Sequence, residues 1–550
     1  MKDPEYDGYG KVTTELGTGG TKRTFAYDST HSFPTIVTDF VDDHTTLTTS
    51  AEYDYASGQA NHIVEHNGYI KTQKFDILGR LIEVSEGENS STLSVVEKLE
   101  YRRLGDDRFC VRSTLPNKAS DSWNRETRYL DGMERIWKTT VPNVSDASVT
   151  VALGEVLLDG VGRVTRRYRN YLSNAPVDHR AYSSYTYDAS SRQTKLITPS
   201  PDDITQPATV ISAYSYADNQ LTIQQTKTGD GQSSITKTVL EYFPDPDASE
   251  DFVVPLAVSS IDELNRIIKT EFDELKRVVS VKDPNDISLT MEWDGLSRMI
   301  SRKIVNSSTV TPPVINHFTV AYDDPSRTMN IINHLTDSST IIVKDRIDRT
   351  IKRTTSDGEV VDLLYDDPQA RAKGQISSVK SSNGVVETFT YNARGDEETR
   401  TLALDGQTFT TAFEYTTSRH VSKITNPDNS IFTTEFFKDS DFASYVKLQN
   451  GDTTVSSAFS QFSNPTLTPT LATLGNGLTS TLTLAANGVP VKSVISNSSN
   501  AVLHQQTWAL NSFGLLSAYN PSLAPDTQRR LQYDPAGKRA ARWFYIKLCL

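Results

Sequence analysis

The stretch KFDILGRLIEV, Lys74 to Val84, decides how the rest of the chain is read. An aromatic residue, an aspartate, two variable residues, a glycine, an arginine and an aliphatic residue follow one another. Variants return throughout: YDGYGKV from Tyr6, YLDGMERIW from Tyr129, LLDGVGRV from Leu157, SIDELNRII from Ser260, EFDELKRVV from Glu271 and EWDGLSRMI from Glu292. AYDDPSRT from Ala321, KDRIDRT from Lys344, YNARGD from Tyr391 and YDPAGKRA from Tyr533 continue the series. Asp7 and Asp28, Asp273 and Asp294, and Asp345 and Asp366 are each 21 residues apart, whereas Asp131, Asp159 and Asp188 are 28 and 29 apart. A recurrence in this range marks a repeat architecture. It overrides the three or four domains that 550 residues would otherwise suggest, because each repeat leans only on its neighbours.

Around each frame the residues alternate. TKRTFAYD (Thr21–Asp28), SSYTYD (Ser183–Asp188) and VVETFTYN (Val385–Asn392) set aromatic residues two apart, on one face of a strand. The aspartates Asp7, Asp76, Asp131, Asp159, Asp273, Asp294, Asp323 and Asp534 end their strands. Each carboxylate is placed to accept a backbone N–H two residues on. The fourth position calls for positive φ, and holds Gly10, Gly79, Gly162, Gly395 and Gly537, or Asn265 and Asp348. Glu134, Lys276, Ser297 and Ser326 suit it poorly, so those four turns are expected to be distorted or different. The following Arg80, Arg135, Arg163, Arg266, Arg277, Arg298 or Arg327 starts the return strand, its stem over a ring and its head toward an aspartate. A second turn lies half a repeat away, in SDGE (356–359), SNGV (382–385), DPND (283–286) and NPDN (426–429). The unit reads as strand, Asp-x-x-Gly-Arg turn, strand, Asn/Asp-Gly turn. The expected fold is all-β, a ribbon of antiparallel hairpins with no sustained helical period.

Composition narrows the function. Hydrophobic residues make up 36%; leaving out the 24 tyrosines and counting the 28 glycines gives about 37% apolar, against about 45–50% for an ordinary globular domain. That suits a thin, wetted sheet better than a thick core. A net charge of −13 argues against binding nucleic acid through a basic face. Cys110 and Cys549 form no CxxC or disulfide framework. No apolar run of membrane-spanning length exists, so membrane insertion by this chain is not expected. MKDPEYDGYG lacks the apolar core of a signal peptide.

The Tyr-Asp-x-x-Gly-Arg frame with its intervening Asn/Asp-Gly turns resembles the YD-repeat, or Rhs-repeat, family. Within it, RTFAYDSTHSFPTIVTDF, YDYASGQANHIVEHNGYIKTQKFDILGRL, RYLDGMERIW and LLDGVGRVTRRYRN are similar in order to the B component of insecticidal Tc toxin complexes. The resemblance implies a ribbon spiralling into a hollow shell, or part of one, that encloses a cargo polypeptide. It implies partners too: a C-like cargo-bearing component and an A-like pore component. It also implies an extracellular location, reached without a visible signal peptide. On this reading residues 1–220 are the B-like repeat region, 221–260 a degenerate stretch, 261–435 the regular shell region and 436–550 a degenerate, Ser/Thr-rich region. A B-type propeller insert, an aspartate-rich self-cleaving end and a following cargo are not seen, and AARWFYIKLCL reads as a strand awaiting its neighbour. A piece of a longer shell, or a gene cut short, is the expectation. The alternative implied by cell-surface members is carbohydrate binding through exposed tyrosines.

Other motifs read as structural. His62 and His66 in NHIVEH would share a strand face but lack a third ligand, so no metal is expected. DPDASED (Asp245–Asp251) lacks the glycine and closing glutamate of a calcium loop. GTGGTK (Gly17–Lys22) is too short for a phosphate loop. The Asp, Arg and Tyr set recurs along the ribbon instead of converging in one pocket, so catalysis is not expected, and neither is a cofactor. Sequons at Asn89, Asn143, Asn306 and Asn497 matter only in a eukaryotic secretory pathway.

Overall fold

The computed structural model describes residues 4–17, 20–104, 107–114, 123–143, 148–199, 207–217, 220–229, 232–242, 255–306, 314–436, 443–451, 453–462, 468–485, 489–510, 516–521, 527–533 and 539–546. Asp534, Gly537, the DPDASED segment and Cys549 lie outside the described residues. The protein is nearly all β. A 14-stranded sheet runs in chain order from Glu5–Tyr6 to Thr150–Leu153 and ends on Tyr171–Leu172. A 32-stranded sheet runs from Val156–Leu158 to Arg539–Ile546. Consecutive strands pair antiparallel, as in Ile70–Phe75 with Leu81–Gly87 and Val386–Tyr391 with Glu397–Leu404. A short 3-10 turn, Val177–His179, interrupts the strands.

The register explains why the aromatic residue must precede the aspartate. The ladder shifts by one residue between Lys74 and Phe75, and likewise at Tyr187, Phe272, Trp293 and Tyr391. Each shift is the bulge that follows when a type I turn ends on a residue in the left-handed region. It sharpens the local twist and turns the ring along the ribbon.

The change of sheet falls at Gly154 and Glu155. Gly154 has φ 64°, and the buried Glu155 carboxylate accepts the Tyr171 hydroxyl and lies 3.3 Å from Lys138 Nζ. These contacts hold the end of the first sheet against the start of the second. The ladder continues through residues 220, 260 and 435, within the strands Gln220–Gly229, Pro255–Ile261 and Ile431–Phe436.

The accessible surface is 32291 Å² for 61.1 kDa, where a compact monomer of that mass would expose roughly 20,000 Å². The sheet is therefore a single layer with both faces wetted. Most side chains in strands such as Val278–Lys282 are half-buried on either face. Buried apolar side chains are few among the described residues. Ala370, Ala372, Phe389 and Tyr391 form one cluster with Ile376 and Val379. It sits beside the place where the ribbon, after one winding, returns to its own beginning. The ribbon thus spirals into part of a hollow shell.

Candidate functional site: the turn ladder and the seam between windings

At Asp76 the turn is fully bonded. The Asp76 amide donates to the Arg80 carbonyl and the Gly79 amide to the Asp76 carbonyl, both at 2.9 Å. Asp76 Oδ1 accepts the amides of Leu78 and Arg80 at 2.9 Å, and Oδ2 accepts Arg80 Nε at 2.8 Å. The same set is built at Asp131, Asp159, Asp273 and Asp294 with Arg135, Arg163, Arg277 and Arg298. Asp7 accepts the amides of Tyr9 and Lys11, with Gly10 at φ 78°. The backbone N–H of the closing arginine, together with its guanidinium, holds the carboxyls of Asp131, Asp159 and Asp294 below the usual aspartate range. Hydrogen bonding from the Tyr55 hydroxyl takes Asp28 down to about 2.

Two expectations need correction. Glu134, Lys276 and Ser297 do not distort their turns. Their φ values of 61°, 66° and 61° match those of Gly79 (74°) and Gly162 (89°), because the aspartate and arginine fix the backbone from both sides. The half-repeat turns are also the same five-residue turn, as at Asp283, which accepts the amides of Asn285 and Ile287. Asp323 and Arg327 do depart from the frame. Pro325 takes the second position of a type I turn that opens on Asp324, and the positive φ, 54°, moves to Arg327. Asp323 accepts the Ser326 hydroxyl, while Arg327 donates to the Lys344 carbonyl.

The rings perform a task that sequence reading missed. Where the residue opening a turn is a tyrosine or tryptophan, its ring can reach back to the previous turn on the same edge and donate to the carbonyl just after that turn's fifth residue, which the phenylalanines Phe75 and Phe272 cannot do. Tyr187 reaches Val164 O at 2.9 Å, Trp293 reaches Val278 O at 2.8 Å, Tyr322 reaches Met299 O at 3.2 Å and Tyr365 reaches Thr350 O at 2.9 Å. The preceding arginine covers the ring: Arg298 lies 4.1 Å from the Tyr322 centroid and Arg349 lies 4.3 Å from Tyr365. Arg298 and Arg349 also grip Asp324 and Asp366. Turn is thus bolted to turn along one edge.

Successive turns of an antiparallel ribbon alternate between its two edges. The leading edge carries the turns at Asp7, Asp76, Asp131, Asp159, Asp273, Asp294, Asp345 and Asn392. The trailing edge carries Val41–Thr45, Glu65–Tyr69, Asp283–Ile287, Thr355–Glu359, Ser381–Val385 and Asn426–Ser430. The leading edge of the second winding meets the trailing edge of the first. Arg346 pairs with Asp43 at 2.7 Å, Asn67 Nδ2 donates to Ala393 O at 3.2 Å, and Arg394 lies 3.4 Å from Glu86. The last two join residues 326 and 308 apart in sequence. Burial here pushes the Tyr69 phenol up to about 12. At Gly374, φ 83°, a Cβ would collide with the His66 ring. His66 therefore lies in the Glu65–Tyr69 turn, not on the strand of His62, which ends at Val64.

Two clefts of about 440 and 590 Å³ open along this seam around Thr21 and Asp348. Much of their charged lining is paired: Arg23 with Asp39, Lys344 with Asp348 and Arg298 with Asp324. Among the described residues no three His, Cys, Asp or Glu side chains are grouped to hold a metal. No helix among the described residues is long and apolar enough to cross a membrane. Cys110 is buried and free.

The ribbon is a single-layer spiral β wall, bolted at its turns. No family profile matches the chain, and no curated protein matches it. Solved structures do. A chain of the crystal structure of TcdB2-TccC3-TEV matches with a TM-score of 0.74 and 10% identity, covering 98% of this chain and 33% of that one. A chain of the Photorhabdus luminescens Tc holotoxin pore matches with a TM-score of 0.74 and 11% identity over the same shares, 98% and 33%. A chain of TcdB2-TccC3 without its hypervariable C-terminal region matches with a TM-score of 0.63 and 12% identity, again over 98% and 33%. The fold is that of these Tc toxin chains, and the present chain spans about a third of their length.

Proposed function

We propose that this chain is a non-enzymatic segment of a YD-repeat shell, acting as the Tc toxin B-like part of a wall that encloses and protects a cargo polypeptide. The observation that carries this reading is the winding itself. A single-layer ribbon that closes edge to edge on its own start makes a barrier without building a core. The recurring Asp, Arg and Tyr side chains are engaged in holding that wall, which supports a structural role over a catalytic one. The partners on this reading are a cargo-bearing C-like component and a pore-forming A-like component, in an extracellular setting. The carbohydrate-binding alternative rests on exposed tyrosines such as Tyr6, Tyr9, Tyr55 and Tyr216, since Tyr187, Tyr322 and Tyr365 already donate to backbone carbonyls; glycan-array binding lost on replacing the exposed tyrosines would favour it. The test of the shell is protease protection. An unfolded reporter fused to the full chain, together with its shell partners, should be cleaved several-fold more slowly than the free reporter. Cleavage at the free rate overturns the proposal.

A further inference from the structure

The two edges of the ribbon differ chemically, and the seam shows what the difference is for. On the leading edge the third turn residue is repeatedly apolar: Tyr9, Leu78, Met133, Val161, Leu275, Leu296 and Ile347. On the trailing edge the same position is mostly a small polar residue: Asp43, Asn67, Asn285, Asp357, Asn383 and Asp428. Where the windings meet, side chains of both kinds are partly covered, although Asp43 stays 75% exposed beside Arg346. Ile347 and Arg394 are half-buried, as is Asn67, and Val41 and Tyr69 are buried. Among the described turns without a neighbouring winding, side chains of both kinds stand open. Tyr9 is 73% exposed, Leu78 68%, Met133 74% and Val161 74%. Asn285, Asp357, Asn383 and Asp428 are exposed on the opposite rim. One chain therefore carries both halves of an interface it already makes once, each half continuous with the seam. Rows of bare apolar side chains on a soluble surface mark a contact site.

We propose that the open leading rim, around Leu78, Met133 and Val161, docks on the open trailing rim, around Asn383 and Asp428, of a second copy of this chain. The contact repeats the seam: apolar turn residues packed on Asn/Asp turns, with trailing-edge side-chain amides donating to leading-edge carbonyls as Asn67 does to Ala393. It is heterologous, so a dimer still carries one free rim of each kind and can add further copies. The inference rests on the winding geometry and holds whatever the wall encloses.

Sedimentation velocity of the full chain over roughly 1–100 μM, in salt that screens its net negative charge, is the test. The expected result is a mass that grows with concentration past the dimer. A leading-rim variant (Leu78→Asp, Met133→Asp, Val161→Asp) and a trailing-rim variant (Asn383→Arg, Asp428→Arg) should each stay monomeric, with unchanged far-UV circular dichroism. Mixed, the two should stop at a one-to-one dimer, since each supplies the rim the other lacks. A wild-type chain that remains monomeric throughout, or association that neither variant reduces, overturns the proposal. Failure of cargo protection alone would leave the association intact and so separates the two readings.

Discussion

At Glu134, Lys276 and Ser297 a side chain occupies backbone that glycine occupies at Gly79 and Gly162. Holding a non-glycine residue in the left-handed region costs about 1–3 kcal/mol. The turns tolerate it because Oδ1 of the aspartate ties two amides and the arginine ties Oδ2. Lys276→Gly is therefore expected to stabilise its hairpin by about 1 kcal/mol, and Gly79→Val to destabilise by about 1–3 kcal/mol. Amide exchange at the two hairpins reads both, since a long repeat array need not unfold in one step; no change at Lys276→Gly would contradict the strain. The sign of the pH effect follows from the same carboxylates. Their folded values lie below the ordinary aspartate value of about 3.9, so protons bind the unfolded chain more readily. Stability should be complete above about pH 4 and fall as the pH drops toward the folded values, about 2 for Asp28. Acid titration followed by tyrosine fluorescence checks this; loss of structure already at pH 5 to 6 would contradict it. The turn was legible because its residue types are set by local sterics. That a lysine would accept the glycine position was not, because the restraint comes from hydrogen bonds that propensities ignore.

Hairpins joined by these ring-to-carbonyl bonds and arginine pairs depend on where they lie, which the frame alone does not say. Asp131–Arg135 and Asp345–Arg349 are nearly the same pair by sequence and by geometry, both at 2.7 Å. Arg135 is 45% exposed, whereas Arg349 is 16% exposed and also grips Asp366 at 2.6 Å. An exposed pair contributes about 0–1 kcal/mol. Removing one partner of a buried group leaves charge uncompensated and costs about 3 kcal/mol or more. Arg349→Leu should therefore unprotect the amides of Thr350–Thr355 and Val360–Tyr365, while Arg135→Leu leaves its hairpin almost unchanged. Equal effects at the two sites would contradict the difference in burial. The strand pairing was legible from the alternation of aromatic and β-branched residues around recurring turns. The target of each ring was not, because a hydroxyl donating to a carbonyl leaves no mark on the residue type that accepts it. The departure at Asp323 was half legible: Ser326 flagged it, but Pro325 is its cause.

The winding is the feature furthest from the sequence. Its contacts join residues 308 and 326 apart, beyond the reach of any local period, and they fall on ordinary charged or polar residues such as Glu86 and Asn67. What fixes the closure is the accumulated twist and curl of many hairpins, to which each bulge adds a little. The seam then selects one register from those the curvature allows. Arg394 and Glu86, 3.4 Å apart and both largely covered, test this directly. Arg394→Glu sets two carboxylates against each other and, by losing its bond to the Thr417 carbonyl, loosens the leading edge as well. The expected outcome is an opened winding with intact hairpins. The radius of gyration by small-angle scattering should rise, proteolysis should reach the turns at Val41–Thr45 and Glu65–Tyr69, and strand content should hold. Pairing the variant with Glu86→Arg restores opposite charges across the seam and should recover most of the compaction, through a coupling of about 0.5–3 kcal/mol. The Thr417 bond lies within one winding and is not restored by Glu86→Arg, so the double variant separates the seam from the edge. Equal expansion in the single and double variants would mean that hairpin curvature alone sets the spiral and that the seam merely records it.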